Sequence, residues 1–284
     1  MLQNFTLHTH TNEFDGKNTV AEMVNAAYEH GMKTIGISNH FIVHPNIKQT
    51  NFYPHAVIGG YDGMYNDNFD VATDKFKKHF DTLEHVAEQN KQIRVLKGME
   101  IDFFDSISWH INTSYIINTL KPDYTIGACH FIEYNGQLCN IHDIHLASQS
   151  EQHEMLKIYW DKVYRAIKSG MFTFMAHLDL PLRLNLGTES MWERYEQKAV
   201  HTLSDTKTPV EINTALYNKG PRTHPHPSPR VMNMLYNANV PVILSDDAHS
   251  VNQIGRYFDK AQEYIAQHNI HQFCEIHKHI ARNK

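Results

Sequence analysis

Short runs of β-branched and other hydrophobic residues alternate with longer amphipathic stretches along the chain. The run Lys33–His40 is rich in β-branched residues and too short for a buried helix, so it predicts a strand. Thr19 and Glu22 form a capping-box pattern that predicts the start of a helix, and Gly31 is typical of its end. Regular alternation of strands and helices predicts a parallel sheet covered by helices.

The pattern predicts about seven strand–helix units. The predicted strands are Phe5–His10, Lys33–His40, Arg94–Glu100, Tyr124–His130, Met171–His177, Pro209–Thr214 and Pro241–Ser245. The predicted helices begin with the one at Thr19 and then cover 70–90, 107–120, 151–169, 189–204, 228–237 and 253–268, with a short one after Asn269. Residues from about Phe41 to Asp70 are predicted to form a long connection, a candidate lid or substrate loop. No linker-like change of composition divides the chain, so a single domain over residues 1–284 is expected.

The 26 Lys and Arg residues against 31 Asp and Glu residues give the 284-residue chain a net charge of −5. A mildly acidic chain without a basic block is a poor candidate for nucleic-acid binding, and no apolar run approaches the ~20 residues that span a bilayer. The first residues show no signal-like hydrophobic segment. Cys129, Cys139 and Cys274 are an odd and sparse set that favours a reducing compartment over a disulfide framework. We therefore expect a cytoplasmic protein with neither nucleic acid nor a membrane as its partner.

Six of the 22 histidines stand at the ends of predicted strands or directly after them, together with several acids. The polar side chains in these positions are His8, His10, His40, Glu100, His130, His177, Glu211, Asn213, Asp247 and His249. In a parallel barrel, the carboxyl ends of the strands form the rim where active sites assemble. Imidazoles and carboxylates that recur at one rim indicate metal ligands.

Spacing within the first and last of these motifs also indicates a metal site. His8 and His10 are two residues apart, so both rings point to one face of a strand and can bind one ion. The same spacing recurs at Asp247 and His249. Imidazole nitrogen and carboxylate oxygen suit Zn²⁺, Mn²⁺ or Fe²⁺. Because the candidate ligands outnumber those of one tetrahedral ion, two or three ions are predicted.

Neighbouring acids leave a choice of ligand at two positions. Asp247 is favoured over Asp246, because only Asp247 has the two-residue spacing to His249. Glu100 is favoured over Asp102, which is expected to face the other side of the strand or the solvent.

These residues form motifs that resemble the PHP (polymerase and histidinol phosphatase) superfamily. The motifs span nearly the whole chain and are His8-Thr-His10, Asn39-His40, Gly98-Met-Glu100, Ala128-Cys-His130, Ala176-His177 and Ser245-Asp-Asp247-Ala-His249. Segments 177–183 and 211–215 are similar to the histidinol-phosphate phosphatase branch. The resemblance implies a distorted, TIM-like (β/α)7 barrel of the α/β class. It also implies hydrolysis of L-histidinol phosphate to L-histidinol and phosphate, a step of histidine biosynthesis, by a metal-activated hydroxide.

Carried over residue by residue, the resemblance implies a centre of three divalent ions. The implied ligands are His8, His10, Glu100 and Asp247 for one ion, Asp15, His40 and His249 for a second, and Glu100, His130 and His177 for a third. Glu100 would bridge two of the ions. Asp15 lies in the loop after the first strand, and Glu13 is the alternative in that loop.

A small phosphate ester as substrate requires cationic side chains near the metal ions. Arg183 and Arg222 are predicted to hold the phosphate, because a guanidinium fork matches two phosphate oxygens. Besides these, the candidates for substrate binding are Lys219, Glu211 and Asn213. Asp247 or His249 is a candidate for giving a proton to the leaving oxygen. The sequence does not indicate an oligomeric state.

Three alternative functions compete with this hypothesis. A phosphoesterase of the same superfamily would act on another small ester, a nucleotide or a nucleic-acid 3′ end, and the missing basic patch disfavours the last of these. A metal-dependent amidohydrolase also begins with His-x-His, but candidate ligands at His40 and Glu100 disfavour it. A metal-storing protein would not need ligands from so many strands around an open rim.

Overall fold

A parallel sheet, whose strands follow one another in chain order, organises the fold. The structure is a computed structural model that describes residues 3–218 and 223–270. The strands in this part of the chain are β1 (Phe5–Thr6), β2 (Thr34–Ile37), β3 (His40–Val43), β4 (Tyr65–Asn66), β5 (Arg94–Asp102), β6 (Tyr124–Ala128), β7 (Phe131–Tyr134), β8 (Gln137–Asn140), β9 (Phe174–Met175), β10 (Val210–Asn213) and β11 (Val242–Ser245). The path β1-β2-β5-β6-β9-β10-β11 is parallel throughout, as the alternation of strands and helices predicted.

Backbone pairing between Thr9 and Ala248 closes this sheet into a barrel. The backbone N–H of His10 donates to the carbonyl of Ala248 at 2.8 Å, and that of Ala248 donates to the carbonyl of His8 at 3.2 Å. These hydrogen bonds join the segment after β1 to the segment after β11. The predicted α/β fold, a distorted (β/α)7 barrel, is confirmed.

Helices connect the strands and pack around the sheet. They are α1 (Val20–Glu29), α2 (Tyr53–Gly59), α3 (Phe69–Gln89), α4 (Ile107–Leu120), α5 (Gln149–Lys168), α6 (Glu193–Thr206), α7 (Pro229–Asn237) and α8 (Phe258–Gln267). The predicted capping box is present, because the Thr19 side chain accepts from the backbone of Glu22 and the Glu22 carboxylate accepts from the backbone of Thr19. None of the described helices is both long and apolar enough to cross a membrane.

Two parts of the chain contain more regular structure than the sequence predicted. The prediction of a long connection after Phe41 is wrong, because this region contains most of β3 as well as α2 and β4. β3 pairs with the second half of β5, while β2 pairs with the first half, so the predicted strand Lys33–His40 is divided between β2 and β3. The antiparallel hairpin of β7 and β8 is absent from the predicted elements.

Some predicted element boundaries also differ from the structure. Helix α6 begins later than predicted, because the chain first forms a 3-10 turn that ends at Trp192. Helix α8 also begins later, because Gly255 and Tyr257 before it have positive φ angles. The helix predicted after Asn269 lies outside the described residues. The single domain over residues 1–284 therefore stays a prediction.

Tyr124 fills the interior of the barrel below its rim. A Cβ atom on Gly36 would lie 2.1 Å from the Tyr124 hydroxyl, and one on Gly98 would lie 2.3 Å from its ring. The Tyr124 hydroxyl donates to the carbonyl of Leu7 at 2.6 Å. The interior is thus tightly packed, and Leu7 fixes the position of His8, which follows it in the chain.

Candidate metal centre

Nine of the predicted side chains converge at the carboxyl end of the barrel. They are His8, His10, Asp15, His40, Glu100, His130, His177, Asp247 and His249. His8 Nε2 lies 3.2 Å from Glu100 Oε2, and His177 Nε2 lies 3.2 Å from Glu100 Oε1. His10 Nε2 lies 3.2 Å from Asp247 Oδ1. Glu100 therefore stands between imidazoles from different strands.

Several of these side chains have buried polar atoms without a hydrogen bond to any other described residue. The atoms are His8 Nε2, His10 Nδ1 and Nε2, Asp15 Oδ1, His40 Nδ1 and Glu100 Oε2. Buried polar groups normally have a partner, so a further group is expected at this position. Sets of candidate ligand atoms within 4.8 Å of one another are formed by His10, Asp15, His40 and His249, by His8, His10 and Glu100, and by His40, Glu100 and His130. Imidazole nitrogens and carboxylate oxygens at this spacing fit divalent cations.

Glu211 lies beneath the cluster and is fully buried. Its carboxylate accepts hydrogen bonds from His8 Nδ1 at 2.8 Å and from the backbone N–H of His177 at 2.7 Å. Ser245 Oγ and Asn213 Nδ2 donate to the same carboxylate at 2.6 Å and 2.7 Å. The described lining of the cavity above the cluster includes neither Glu211 nor Asn213. Both residues are predicted to bind substrate, and in the structure both hold neighbouring side chains of the cluster.

Carboxylate and carbonyl oxygens orient two further imidazoles. Asp102 accepts hydrogen bonds from the backbone N–H and from Nδ1 of His130, each at 2.8 Å. The prediction that Asp102 faces away or toward solvent is wrong, because its side chain is buried and holds this imidazole. His249 Nδ1 donates to the carbonyl of Asp247 at 3.0 Å. With the proton on Nδ1, Nε2 of each ring keeps its lone pair for a cation.

The loop after β1 presents Asp15, and not Glu13, to the cluster. Asp15 Oδ2 lies 3.0 Å from His249 Nε2 and 3.4 Å from His40 Nε2. The Glu13 carboxylate instead accepts a hydrogen bond from Nδ1 of His79 on α3. Of the two acids in this loop, only Asp15 is positioned to bind a cation together with these imidazoles.

The segment after β11 likewise presents Asp247 rather than Asp246. Asp247 has a φ angle of +49°, in the left-handed region that residues other than glycine seldom adopt. Asp246 turns away and accepts hydrogen bonds from the Thr6 hydroxyl at 2.8 Å and from the backbone N–H of Gly255 at 2.6 Å. Burial raises the pKa of Asp246 to about 6. The hydrogen bonds of Asp246 connect β1 with the segment after β11, and Asp246 itself lies outside the cluster.

Burial and the neighbouring charges together lower the pKa values of His10 and Glu100 in this cluster. Burial, with His249 and His40 nearby, lowers the pKa of His10 to about 4. Burial alone would raise the pKa of Glu100, but the surrounding imidazoles hold it well below its usual range. At neutral pH His10 is therefore neutral and Glu100 is ionised. These are the forms in which both groups bind cations.

A cavity of about 380 Å³ lies above the cluster. Cluster residues line it together with Phe52, Tyr61 and Tyr65, which come from the region predicted as a lid or substrate loop. Asn140 at the end of β8 and His142, which follows the hairpin, also line it. Aromatic and amide side chains therefore share this cavity with the candidate metal ligands.

Two arginines line the same cavity. Arg183 was among the predicted phosphate-binding residues, whereas Arg256 was not. Arg256 Nη2 donates to the carbonyl of Asp246 at 3.0 Å, and its buried Nε has no hydrogen bond to another described residue. Only one feature of the sequence could have indicated Arg256, namely that it is a basic residue shortly after the last motif. The predicted Lys219 and Arg222 lie outside the described residues.

The barrel and the cluster at its rim have the architecture of a metal-dependent hydrolase. The model of the PHP domain family matches residues 6–215, which is most of the chain. The chain belongs to this family, as its motifs predicted.

Individual relatives are distant in sequence but similar in length. A protein of Schizosaccharomyces pombe named "Probable histidinol-phosphatase" is 21% identical over 95% of this chain and 89% of its own. A crystal structure from Listeria monocytogenes, named "putative histidinol phosphatase hisK", has a TM-score of 0.71 at 17% identity over 90% of this chain and 99% of its own. The histidinol phosphate phosphatase of Lactococcus lactis, crystallised with zinc, L-histidinol and phosphate, has a TM-score of 0.68 at 17% identity over 96% of each chain. The two structures show that the fold is shared.

Proposed function

We propose that this protein is a metal-dependent histidinol-phosphate phosphatase, which hydrolyses L-histidinol phosphate to L-histidinol and phosphate. The observation that carries the proposal is the cluster of buried imidazoles and carboxylates with unpaired polar atoms, of which Asp15, His40 and Glu100 line the cavity above it. The names of the relatives in Schizosaccharomyces pombe and Lactococcus lactis support this substrate, and so does the L-histidinol bound to the latter.

The proposed centre contains three divalent ions of zinc, manganese or iron. One ion would be held by His8, His10, Glu100 and Asp247, one by Asp15, His40 and His249, and one by Glu100, His130 and His177. The support for several ions is that sets of close ligand atoms overlap at Glu100, His10 and His40. Bound ions would supply Lewis acidity to the phosphoryl oxygens and to an attacking water.

Side chains of the protein would bind the phosphate, transfer a proton and orient the metal ligands. Arg183 and Arg256 would bind the non-bridging phosphate oxygens, because both line the cavity and a guanidinium can donate two parallel hydrogen bonds. Asp247 and His249 line the same cavity, and one of them is proposed to relay a proton to the leaving alkoxide oxygen. Asp102 and Glu211 would hold the imidazoles in the orientation that binding requires.

The shape of the cavity favours a small ester over a polymer. Its volume of about 380 Å³ lies in the range of small-molecule sites. Phe52 and Tyr61 offer aromatic surface for an imidazole ring, and Asn140 offers an amide beside them. The organic half of the substrate is therefore assigned to this aromatic part of the lining.

The same proposal assigns the reaction to the cytoplasm. Cys129 and Cys139 are free thiols among the described residues. Free thiols suit a reducing compartment.

Phosphate release from a panel of esters tests the proposal. The protein, loaded in turn with zinc, manganese or iron, should hydrolyse L-histidinol phosphate with a higher kcat/KM than nucleoside monophosphates, sugar phosphates or p-nitrophenyl phosphate. His10→Ala should lose metal and turnover while the barrel stays folded, whereas His85→Ala on the exposed side of α3 should behave as wild type. Equal or faster hydrolysis of another ester would refute the substrate, and full activity of His10→Ala would refute the metal centre.

A further inference from the structure

A second cavity, of about 600 Å³, lies outside the metal centre. It is formed by α5, the segment between β5 and α4, and the ends of β3 and β7, with Lys162, Phe104, Trp109 and Phe69 among its lining residues. None of the described residues that line it also lines the cavity at the metal centre. It is therefore a separate pocket of a size typical for a small organic ligand.

Lys162 brings a buried positive charge to this pocket. Its side chain is only 7% exposed, and burial lowers the pKa of its ammonium group. Nζ donates to the carbonyl of Phe131 at 2.6 Å and lies 4.3 Å from the centre of the Phe104 ring. Within residues 3–218 and 223–270 no carboxylate forms a salt bridge with it. An ammonium group has three donors, so two of them are available to a ligand.

Trp109 adds a second buried donor to the same pocket. Its side chain is 3% exposed, and the indole Nε1 has no acceptor among the residues that the structure describes. The Trp109 ring lies 6.3 Å from the Phe104 ring, which also contacts Lys162. Buried donors are normally satisfied, so the unpaired Nε1 of Trp109, together with an ammonium group near the same ring that has donors to spare, indicates a missing acceptor.

The other charged groups that line the pocket determine how much negative charge a bound anion can carry. Asp105 is bound by Arg165 at 2.5 Å and by His110 at 3.1 Å, so its charge is compensated. Glu133 is 70% exposed and accepts a hydrogen bond from His44 at 3.0 Å. Because Asp105 is compensated and Glu133 adds a negative charge, the one ammonium group of Lys162 matches an anion with a single negative charge better than a dianion such as phosphate.

We propose that this pocket binds a small monocarboxylate that carries a flat apolar ring. The carboxylate would accept hydrogen bonds from Lys162 Nζ and Trp109 Nε1, and the ring would pack against Phe104 and Phe69. The hydroxyls of Ser106 and Ser108 near the start of α4 are further donors in the lining. This site is independent of the phosphatase activity proposed above.

Benzoate is the probe for this pocket, and calorimetric titration of the full-length, metal-loaded protein measures its binding. Benzoate should bind, while benzamide, which has the same shape without the charge, should bind at least about tenfold more weakly. Inorganic phosphate is titrated in parallel, and any phosphate binding should be unchanged in Lys162→Met, because phosphate does not use this pocket. Equal affinities for benzoate and benzamide would overturn the proposal.

Two variants locate the bound benzoate. Lys162→Met should weaken benzoate binding at least about tenfold, whereas Lys157→Met, at an exposed position of the same helix, should not change it. Trp109→Phe retains an aromatic ring but removes the indole donor, so it should also weaken binding, and it provides the test if Lys162→Met does not fold. The absence of benzoate binding, or unchanged binding in both pocket variants, would overturn the site.

Discussion

Imidazole orientation at the barrel rim depends on acceptors that lie beneath or beside the candidate ligands. Glu211 accepts from His8 Nδ1, and Asp102 accepts from His130 Nδ1, each at 2.8 Å. In both histidines, the Nε2 atom is therefore directed toward Glu100. Because Glu211 also accepts from the backbone of His177, one carboxylate fixes two of the candidate ligands.

Glu211→Gln should lower metal affinity about ten- to hundredfold, because a Gln amide offers only one oxygen in place of two and directs its NH₂ group at donors. Titration of the apoprotein with zinc or manganese measures this loss, and excess metal should restore part of the turnover. Glu196→Gln is the matched control, since Glu196 is a buried carboxylate bound to Arg230 outside the metal centre. Equal metal affinity in the two variants would contradict the role of Glu211.

The sequence identified the candidate ligands better than their supporting residues. His8, His10 and His177 were found because imidazoles recur at predicted strand ends. Glu211 and Asp102 stand at similar places, and only their depth in the folded molecule separates a supporting carboxylate from a ligand. Arg256 comes from a loop whose approach to the cavity depends on packing that no periodic pattern encodes.

At the scale of elements, β5 is the strand on which the site depends. Its first half pairs with β2 and its second half with β3, so it brings Glu100 beside His40. Within it, Gly98 gives Tyr124 room to enter the barrel interior and to donate to the carbonyl of Leu7. A side chain at this glycine would disturb both the sheet and the position of His8.

Gly98→Ala should reduce the free energy of unfolding by about 1–3 kcal/mol, because the new methyl group would overlap the buried Tyr124 ring. Denaturant unfolding measures the change. In Gly63→Ala the added Cβ would approach only the flexible end of Lys75, at 3.3 Å, so its stability should remain near that of wild type. Equal stability of the two variants would show that the interior can adapt around position 98.

Local signals explain which elements could be predicted from the sequence. Helix α4 has the predicted bounds Ile107–Leu120, since it begins after the capping Ser106 and its buried residues recur at helical spacing. The β7–β8 hairpin was missed, although Asn135 and Gly136 at its turn, both with positive φ, are a strong hairpin signal. Strands β1, β6 and β9 were predicted too long at their carboxyl ends, because residues such as His177 leave the sheet to reach the rim.

At the scale of the whole molecule, the metal centre coincides with the place where the barrel closes. The backbones of His8 and His10 bond to Ala248, and their side chains lie beside Asp247 and His249. Residues near the two ends of the barrel path therefore share the same candidate ions. Metal binding should strengthen the connection between β1 and β11 more than any other part of the sheet.

Removal of metal by a chelator should therefore lower Tm and loosen the closure of the barrel. Binding only to the folded state contributes about 2.7 kcal/mol when free metal is a hundredfold above Kd, so Tm should fall by about 5 to 11 °C. Hydrogen exchange should increase most in residues 5–11 and 242–249, and added zinc or manganese should reverse both changes. Glu100→Ala lacks a carboxylate that belongs to two of the three ligand sets, so the chelator should lower its Tm less than that of wild type. A wild-type Tm that does not respond to the chelator, or an exchange increase spread evenly over the barrel, would show that closure does not depend on metal.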